Sequence, residues 1–418
     1  MKNLIILKKV QTYLLYSIPF FIFLSEFALD LTVSIISIIF VYLCFFEDNR
    51  KYFNFFFKVF LLWWTYLIVL SLASSDVILS LSSSLVYVRH GIFAISVWYI
   101  FEKNENSLKI FTYTLALSFI IFILSLIIEL LFFNFSFFNI SSNRLSGLFL
   151  EKLVAGKYLS VVAFLTTSLI LFISHNKTKY IKYIISVIIF SIILIFISGE
   201  RAAFIISFIA LILISILLYR SKYLFILVFL TTIVTLVIIS LLNFETRNRM
   251  ITYSTSQVSI DLSDLSEISY SDLFPVDYSE RYKASIKMFL NKPMFGYGPK
   301  MFRKICPQLE NVNKEFCSTH PHGTYFQLLA EVGLIGSIPV LIMFFYIFYC
   351  MLQQLCHIFF SKLELKYDPH EIIIMSCIFS FLFPFIPSLN FFNNWNSILL
   401  YLTIGIFLYF RSNVRKVN

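Results

Sequence analysis

The chain of 418 residues is 59% hydrophobic and 19% aromatic, with only 13% charged residues and a mean hydropathy of +0.85. A soluble domain carries about a quarter of its residues as charges, so this composition excludes one and calls for a chain solvated by lipid. The net charge of +10 would suit nucleic acid, but its distribution is that of a membrane topology signal.

Apolar runs of roughly 17–25 residues, enough to cross a bilayer, recur along nearly the whole sequence, and helices are the economical way to satisfy their backbones in lipid. Twelve spans are expected, near 11–29, 31–46, 55–73, 83–101, 108–133, 153–174, 180–197, 202–219, 222–242, 326–352, 371–387 and 395–411. The first has a basic flank but no small-residue cleavage site, so it reads as a retained helix and not a removed signal peptide. Lys2, Lys8 and Lys9, then Arg50 and Lys51, Lys103 and Lys109, Lys177 to Lys182, Arg220 and Lys222, Lys362 and Lys366, and Arg411 to Lys416 fall in the tails or in every second loop. The positive-inside rule then puts both termini in the cytoplasm, with the loop at 134–152 and the segment 243–325 outside. The expected organisation is nine spans over 1–242, the outside segment 243–325, and three spans with a cytoplasmic tail over 326–418.

Cysteine placement is consistent with that topology. Cys44, Cys350, Cys356 and Cys377 map to cytoplasmic halves of helices, where thiols stay reduced. Cys306 and Cys317 lie together in the outside segment, where a disulfide persists and would contribute roughly 2–3 kcal/mol; two unpaired thiols are the alternative.

The outside segment divides in two. Residues 251–279 are rich in Ser and Asp without a helical period and are expected to form an extended cover, with Asp261, Asp264 and Glu267 solvated. Residues 280–296 place Tyr282, Ile286, Phe289 and Leu290 at helical spacing before Pro293 and Gly296, which predicts an amphipathic helix. Its basic Arg281, Lys283 and Lys287 fit a solvated or headgroup-facing side.

Ionisable residues within spans are costly and usually functional. The topology puts Glu26, Arg89, His90, Glu129, Glu200, Arg201 and Glu331 in the outward half of the membrane. A transporter needs polar groups at the midplane, so one-sided clustering points to a cavity open to the outside. Arg144 in "SSNRLSGLF", Arg201 in "ISGERAAF" and Arg281 offer guanidinium forks suited to phosphate oxygens. Any of them is alternatively a snorkelling interfacial residue. Arg201 is favoured because it opens a helix, whose dipole adds positive potential, and because Gly199 leaves the backbone approachable. Glu200 is either its ion-pair partner or its orienting group.

"CSTHPHGTYFQLLAEVGLIG", residues 317–336, gathers His320, His322 and Glu331 at the start of a span. No further ligands with metal-site spacing accompany the histidines. A neutral imidazole taking a proton from a hydroxyl fits better, and a helix cap with Thr319 or Thr324 is the bland alternative.

The same stretch resembles the signature of the bacterial O-antigen ligase and O-antigen polymerase superfamily, a His-Asn pair followed by Leu-x-x-Leu-x-Glu-x-Gly-Leu-x-Gly. "NRLSGLF" and "SGERAAF" resemble its upstream motifs, and the likeness extends over nearly the whole chain. It implies an all-α integral membrane protein of about twelve helices with one long periplasmic loop, similar to glycosyltransferases of the membrane-embedded C type. The implied reaction joins glycans in the periplasm, from a donor carried on undecaprenyl diphosphate, without metal or other cofactor. The implied partners are that donor, a lipid A-core or lipid-linked glycan acceptor and membrane lipid, with no nucleic acid. By position, His322, Arg201 and Arg281 would be catalytic; Arg144, Arg89, His320 and Glu331 are expected to bind substrate, with Glu331 as an orienting group for His322. Gly323 stands where the family has Asn, so any role of that amide is absent and His320 becomes a rival base. Ligase and polymerase need the same groups; a carrier of lipid-linked sugars is the reading from a different class.

Overall fold

The computed structural model describes residues 2–132, 144–150, 152–174, 177–218, 222–242, 244–252, 276–360, 365–384 and 386–417. Residues 253–275 of the expected cover at 251–279 and much of the 134–152 loop lie outside them, while residues 276–279, expected to be extended, are helical. Every regular element among the described residues is helical. The long helices are α1 (Lys2–Leu24), α2 (Glu26–Leu43), α3 (Phe55–Leu72), α4 (Val77–Lys103), α5 (Glu105–Leu131), α6 (Ala155–Ile173), α7 (Lys177–Ile197), α8 (Arg201–Leu217) and α9 (Lys222–Leu242). After them come α10 (Val276–Asn291), α11 (Thr324–Phe360), α12 (Pro369–Leu382) and α13 (Asn394–Val417).

Seven of these, α1 to α6 and α11, are long and apolar enough to cross a membrane; Ile184–Ile197, Arg201–Leu217, Thr232–Leu241 and Pro369–Leu382 are shorter apolar helices. The protein is thus a multi-pass membrane protein. The first helix runs from Lys2 to Leu24 where the sequence suggests 11–29. It stops there because the Ser25 hydroxyl accepts the Ala28 N–H at 3.2 Å and caps α2. Asn54 and Asp76 cap α3 and α4 in the same way, accepting from Phe57 N–H at 3.0 Å and Leu79 N–H at 3.1 Å.

α4, α6 and α12 are well-enclosed helices. α4 packs along α13, α3 and α2, and α6 along α7, α12 and α5. A second, small core of Ala284, Met288, Met301, Phe302, Ile305, Cys306 and Ala330 joins α10 to the start of α11. The face of α10 that it uses differs from the expected stripe. Tyr282, Ala284, Ser285 and Met288 are buried, whereas Ile286 is 39% and Leu290 67% exposed. Helical spacing was right, but the small Ala284 and Ser285 let the backbone approach, so the bulkier Ile286 and Leu290 turn outward. Lys283 pairs with Glu280 at 2.8 Å, and Lys287 donates to the carbonyls of Glu310 at 2.9 Å and Asn311 at 2.7 Å.

Candidate functional site

α11 carries the site, and a break near its start shapes it. Gly333 has φ 66° and ψ −171°, a conformation essentially confined to glycine. The break frees backbone groups, and the chain at 293–298 crosses there to use them. Leu334 N–H donates to Pro293 O at 2.8 Å, Ile335 N–H to Met294 O at 3.2 Å, and Gly298 N–H to Glu331 O at 2.6 Å. A Cβ on Gly333 would lie 2.5 Å from Met294 O. Tyr66 and Trp63 of α3 close the joint by donating to Val332 O and Gly336 O, each at 2.7 Å.

Glu331 belongs to this joint. It is fully buried, and its carboxylate accepts the Phe302 N–H at 3.0 Å and the Gln327 amide at 2.9 Å. Gln327 also donates to Asn390 at 2.9 Å and accepts from Phe391 N–H at 2.9 Å. The polar half of the motif therefore ties α11 to the Phe302 turn and to the segment before α13, one turn or more from the histidines.

The His-Pro-His turn is built differently. His322 is in the left-handed region at φ 61°, a costly conformation for a residue with a side chain. Its carbonyl accepts from Ser388 N–H at 2.8 Å and the Tyr282 hydroxyl at 3.4 Å, which hold the turn in place. The two imidazoles lie 4.0 Å apart between centroids. Tyr278 meets His322 edge-on at 6.0 Å, and the Arg281 guanidinium lies 5.8 Å from the Tyr278 ring. Arg281 Nε donates to Phe316 O at 3.0 Å. The neighbouring Cys317 is disulfide-bonded to Cys306, with Cα atoms 5.8 Å apart, which fastens that acceptor to the small core. A Cβ at Gly323 would come within 2.9 Å of Phe326 and 3.0 Å of Tyr282, whose rings stack at 4.0 Å. The stacked pair occupies the room that the family's Asn side chain would need.

Burial is the main cause that lowers both histidines. His322 is held at about 4 by burial and then by Arg281. His320 is held at about 3 by burial, His322, Arg303 and Arg281, opposed only by the Ser388 backbone. Both are therefore neutral over the ordinary pH range. The Thr319 hydroxyl bonds His320 Nδ1 at 3.1 Å, and the Thr324 hydroxyl bonds Ser388 at 2.8 Å, so each threonine of the proposed cap has another partner.

The remaining candidates form two other groups. The Glu200 carboxylate accepts the N–H groups of Gly156 at 2.7 Å and Lys157 at 3.2 Å, so it caps α6 and places Arg201 at the first residue of α8. Arg144 is close enough to act electrostatically on Glu200, and its Nε is buried without a partner. Gly199 has φ 76°, so its lack of a side chain serves the turn itself. Glu129 fastens the Arg144 loop by accepting the N–H groups of Ser146 at 3.1 Å and Gly147 at 2.6 Å. Arg89 pairs with Asp30 at 2.9 Å and donates to Ser34 at 3.1 Å, and Asn394 donates to the same Asp30 oxygen at 2.7 Å. Arg89 thus links α4, α2 and α13.

Two cavities among the described residues bear on the site. The larger, about 670 Å³, is apolar and runs among α3, α4, α11 and α13 toward Lys51 and Arg411; no candidate site residue lines it. The smaller, about 510 Å³, is lined by His320 with Lys300, Arg303, Lys152, Glu26 and Asp30. Lys300 and Arg303 were missed by sequence reading. The only local sign was a Lys and an Arg three residues apart beside the small Gly-Tyr-Gly-Pro turn, a pattern common on any surface. Among the described residues no three His, Cys, Asp or Glu side chains gather as a metal site would require.

Residues 184–341 match the family model described as O-antigen ligase. The matched span runs from within α7 to the first half of α11, so it holds Arg201, Arg281, both histidines and Glu331. No curated protein matches the chain.

Proposed function

From the match of residues 184–341 to the O-antigen ligase family model, which supports the O-antigen ligase and polymerase superfamily, we propose that this membrane protein is a glycosyltransferase. It moves a glycan from undecaprenyl diphosphate to lipid A-core on the periplasmic side of the bacterial inner membrane. The proposal includes a twelve-span architecture of the membrane-embedded C type, both termini in the cytoplasm, and residues 243–325 as a periplasmic segment between the span groups 1–242 and 326–418. The observation that carries it is the turn of two neutral histidines, 4.0 Å apart, beside Arg281 within the matched domain.

In the reaction an acceptor hydroxyl oxygen attacks the anomeric carbon. The bond from that carbon to the diphosphate oxygen breaks, the electron pair leaves with the diphosphate, and the hydroxyl proton passes to His322. Cations placed where charge develops lower the barrier, so Arg281, Arg201 and Arg144 take the leaving diphosphate and no metal is required. Arg281 also tunes the base. Its charge depresses His322, and a phosphate drawn to it offsets that charge and raises the ring's proton affinity toward the useful range. Glu331 and Arg89 act as positioning residues through the joint and the Asp30 pair.

The test is transfer of a labelled glycan from undecaprenyl diphosphate by the purified full chain in excess EDTA, assayed with lipid A-core and, separately, with lipid-linked repeat units. Transfer to lipid A-core is expected. Lengthening of the lipid-linked units alone would make the protein a polymerase, rescue by Mg2+ would overturn metal independence, and no transfer with either acceptor would favour a carrier.

A further inference from the structure

The cavity beside His320 holds an excess of positive charge that the mechanism above leaves unused. Within its lining Lys152 pairs with Glu26 at 2.7 Å, and Asp30 is neutralised by Arg89 at 2.9 Å. Lys300 and Arg303 are left, and among the described residues neither has a carboxylate partner; the adjacent Lys304 is paired with Asp76 at 3.3 Å. Burial and then Arg303 lower the Lys300 ammonium, opposed by the buried Glu331 carboxylate, which acts on both cations without forming an ion pair with either. Arg303 Nε and His320 Nε2 are both buried with no hydrogen-bond partner, and His320 is only 8% exposed.

A buried donor without a partner costs about 1–3 kcal/mol; Arg303 Nε is one, and His320 Nε2 is another when its Nδ1 accepts from the Thr319 hydroxyl, so these groups and two cations without an ion-pair partner around one cavity call for a ligand. That ligand must supply several acceptor oxygens and at least one negative charge, as a phosphate does. Asn390 and Asn393 also line the cavity and add amides suited to sugar hydroxyls. Arg281 is not part of this lining and is held by Tyr278 and Phe316 instead, so an anion in the cavity and one at Arg281 would draw on different cations.

We infer that this cavity binds a phosphate-bearing saccharide, with Lys300, Arg303 and His320 holding the phosphate. Resting on the glycosyl-transfer reading, that saccharide is the acceptor, and its phosphate draws on cations other than Arg281, which serves the diphosphate of the donor. The phosphate has two sources, the phosphorylated sugars of a lipid A-core and the diphosphate of a lipid-linked repeat unit.

The experiment measures binding to the full chain in nanodiscs without donor, so it does not depend on turnover. The probes are phosphorylated core oligosaccharide, the same oligosaccharide after phosphatase treatment, and repeat-unit diphosphate. Lys300→Gln with Arg303→Gln is expected to weaken one phosphorylated probe by about tenfold or more and the dephosphorylated one by less than about twofold. Which phosphorylated probe is weakened identifies the source. Arg303→Lys, which keeps the charge, should recover part of the binding, and Lys304→Gln should change nothing. Equal losses on phosphorylated and dephosphorylated oligosaccharide, no loss on either phosphorylated probe, or no phosphate-dependent binding to the unaltered protein would each overturn the inference. Phosphate-dependent binding with no glycan transfer would instead overturn the glycosyltransferase reading and leave the site standing.

Discussion

Residues 317–323 and 327–336 are neighbours in one motif, yet they are built on opposite principles. In the second stretch Glu331, Gln327 and the backbone around Gly333 are all engaged in hydrogen bonds to other segments. In the first, His322 is in a strained backbone conformation, His320 has a buried nitrogen without a partner, and both rings resist protonation. Satisfied polar groups build a rigid scaffold, whereas unsatisfied ones beside cations retain free energy for a ligand to release. A polar motif residue is therefore read by what its atoms already bond: Glu331 is engaged in the joint, and the proposed chemistry falls to the histidine turn.

The sharpest test of that division is His322→Ala. It is expected to lower the single-turnover rate by about 10²- to 10⁴-fold, the usual contribution of a general base, with the thermal midpoint and donor binding nearly unchanged. If His320→Ala has that effect and His322→Ala is nearly silent, the base is the other ring; if both are silent, the turn is structural.

Gly333→Ala probes the scaffold half and should act on folding. A Cβ 2.5 Å from Met294 O, on a backbone with φ 66°, is expected to cost about 3 kcal/mol or more through strain and overpacking together. Thermal melting of the purified chain should fall, with activity per folded molecule largely kept. A full-stability variant with lost turnover would place the joint inside the chemistry and erase the contrast.

The smallest effect expected is that of pH. The base must be neutral, and burial with Arg281 lowers His322 to about 4, so kcat/KM should vary less than about twofold from pH 8 to pH 5.5 and fall only as pH drops toward the lowered value. Arg281→Gln removes one depressing charge, so the acidic limb should move upward. A limb near the ordinary histidine value of about 6.5 in the unaltered protein would show that the ring is not buried as described.

The sequence by itself determined that the chain is helical and membrane-borne, because hydropathy and helical period are local properties of consecutive residues. It also marked His320, His322 and the arginines of the three short motifs, since polar residues stand out in so apolar a chain. What each group does was decided by tertiary structure. Glu331 meets Phe302 and Arg89 meets Asp30 across sequence separations of 29 and 59 residues, and no local pattern encodes such partners. The same reason hid Lys300 and Arg303, ordinary surface cations until folding sets them against His320 and the Asn390 segment. It also shifted the buried face of α10: Tyr282 of the expected stripe is buried, but Ile286 and Leu290, core candidates by hydrophobicity, are exposed. The packing of Ala284 and Met288 on Phe302 and Ala330 set that shift, because close approach of two backbones depends on which small residues meet, and that is a property of the pair of segments rather than of either one.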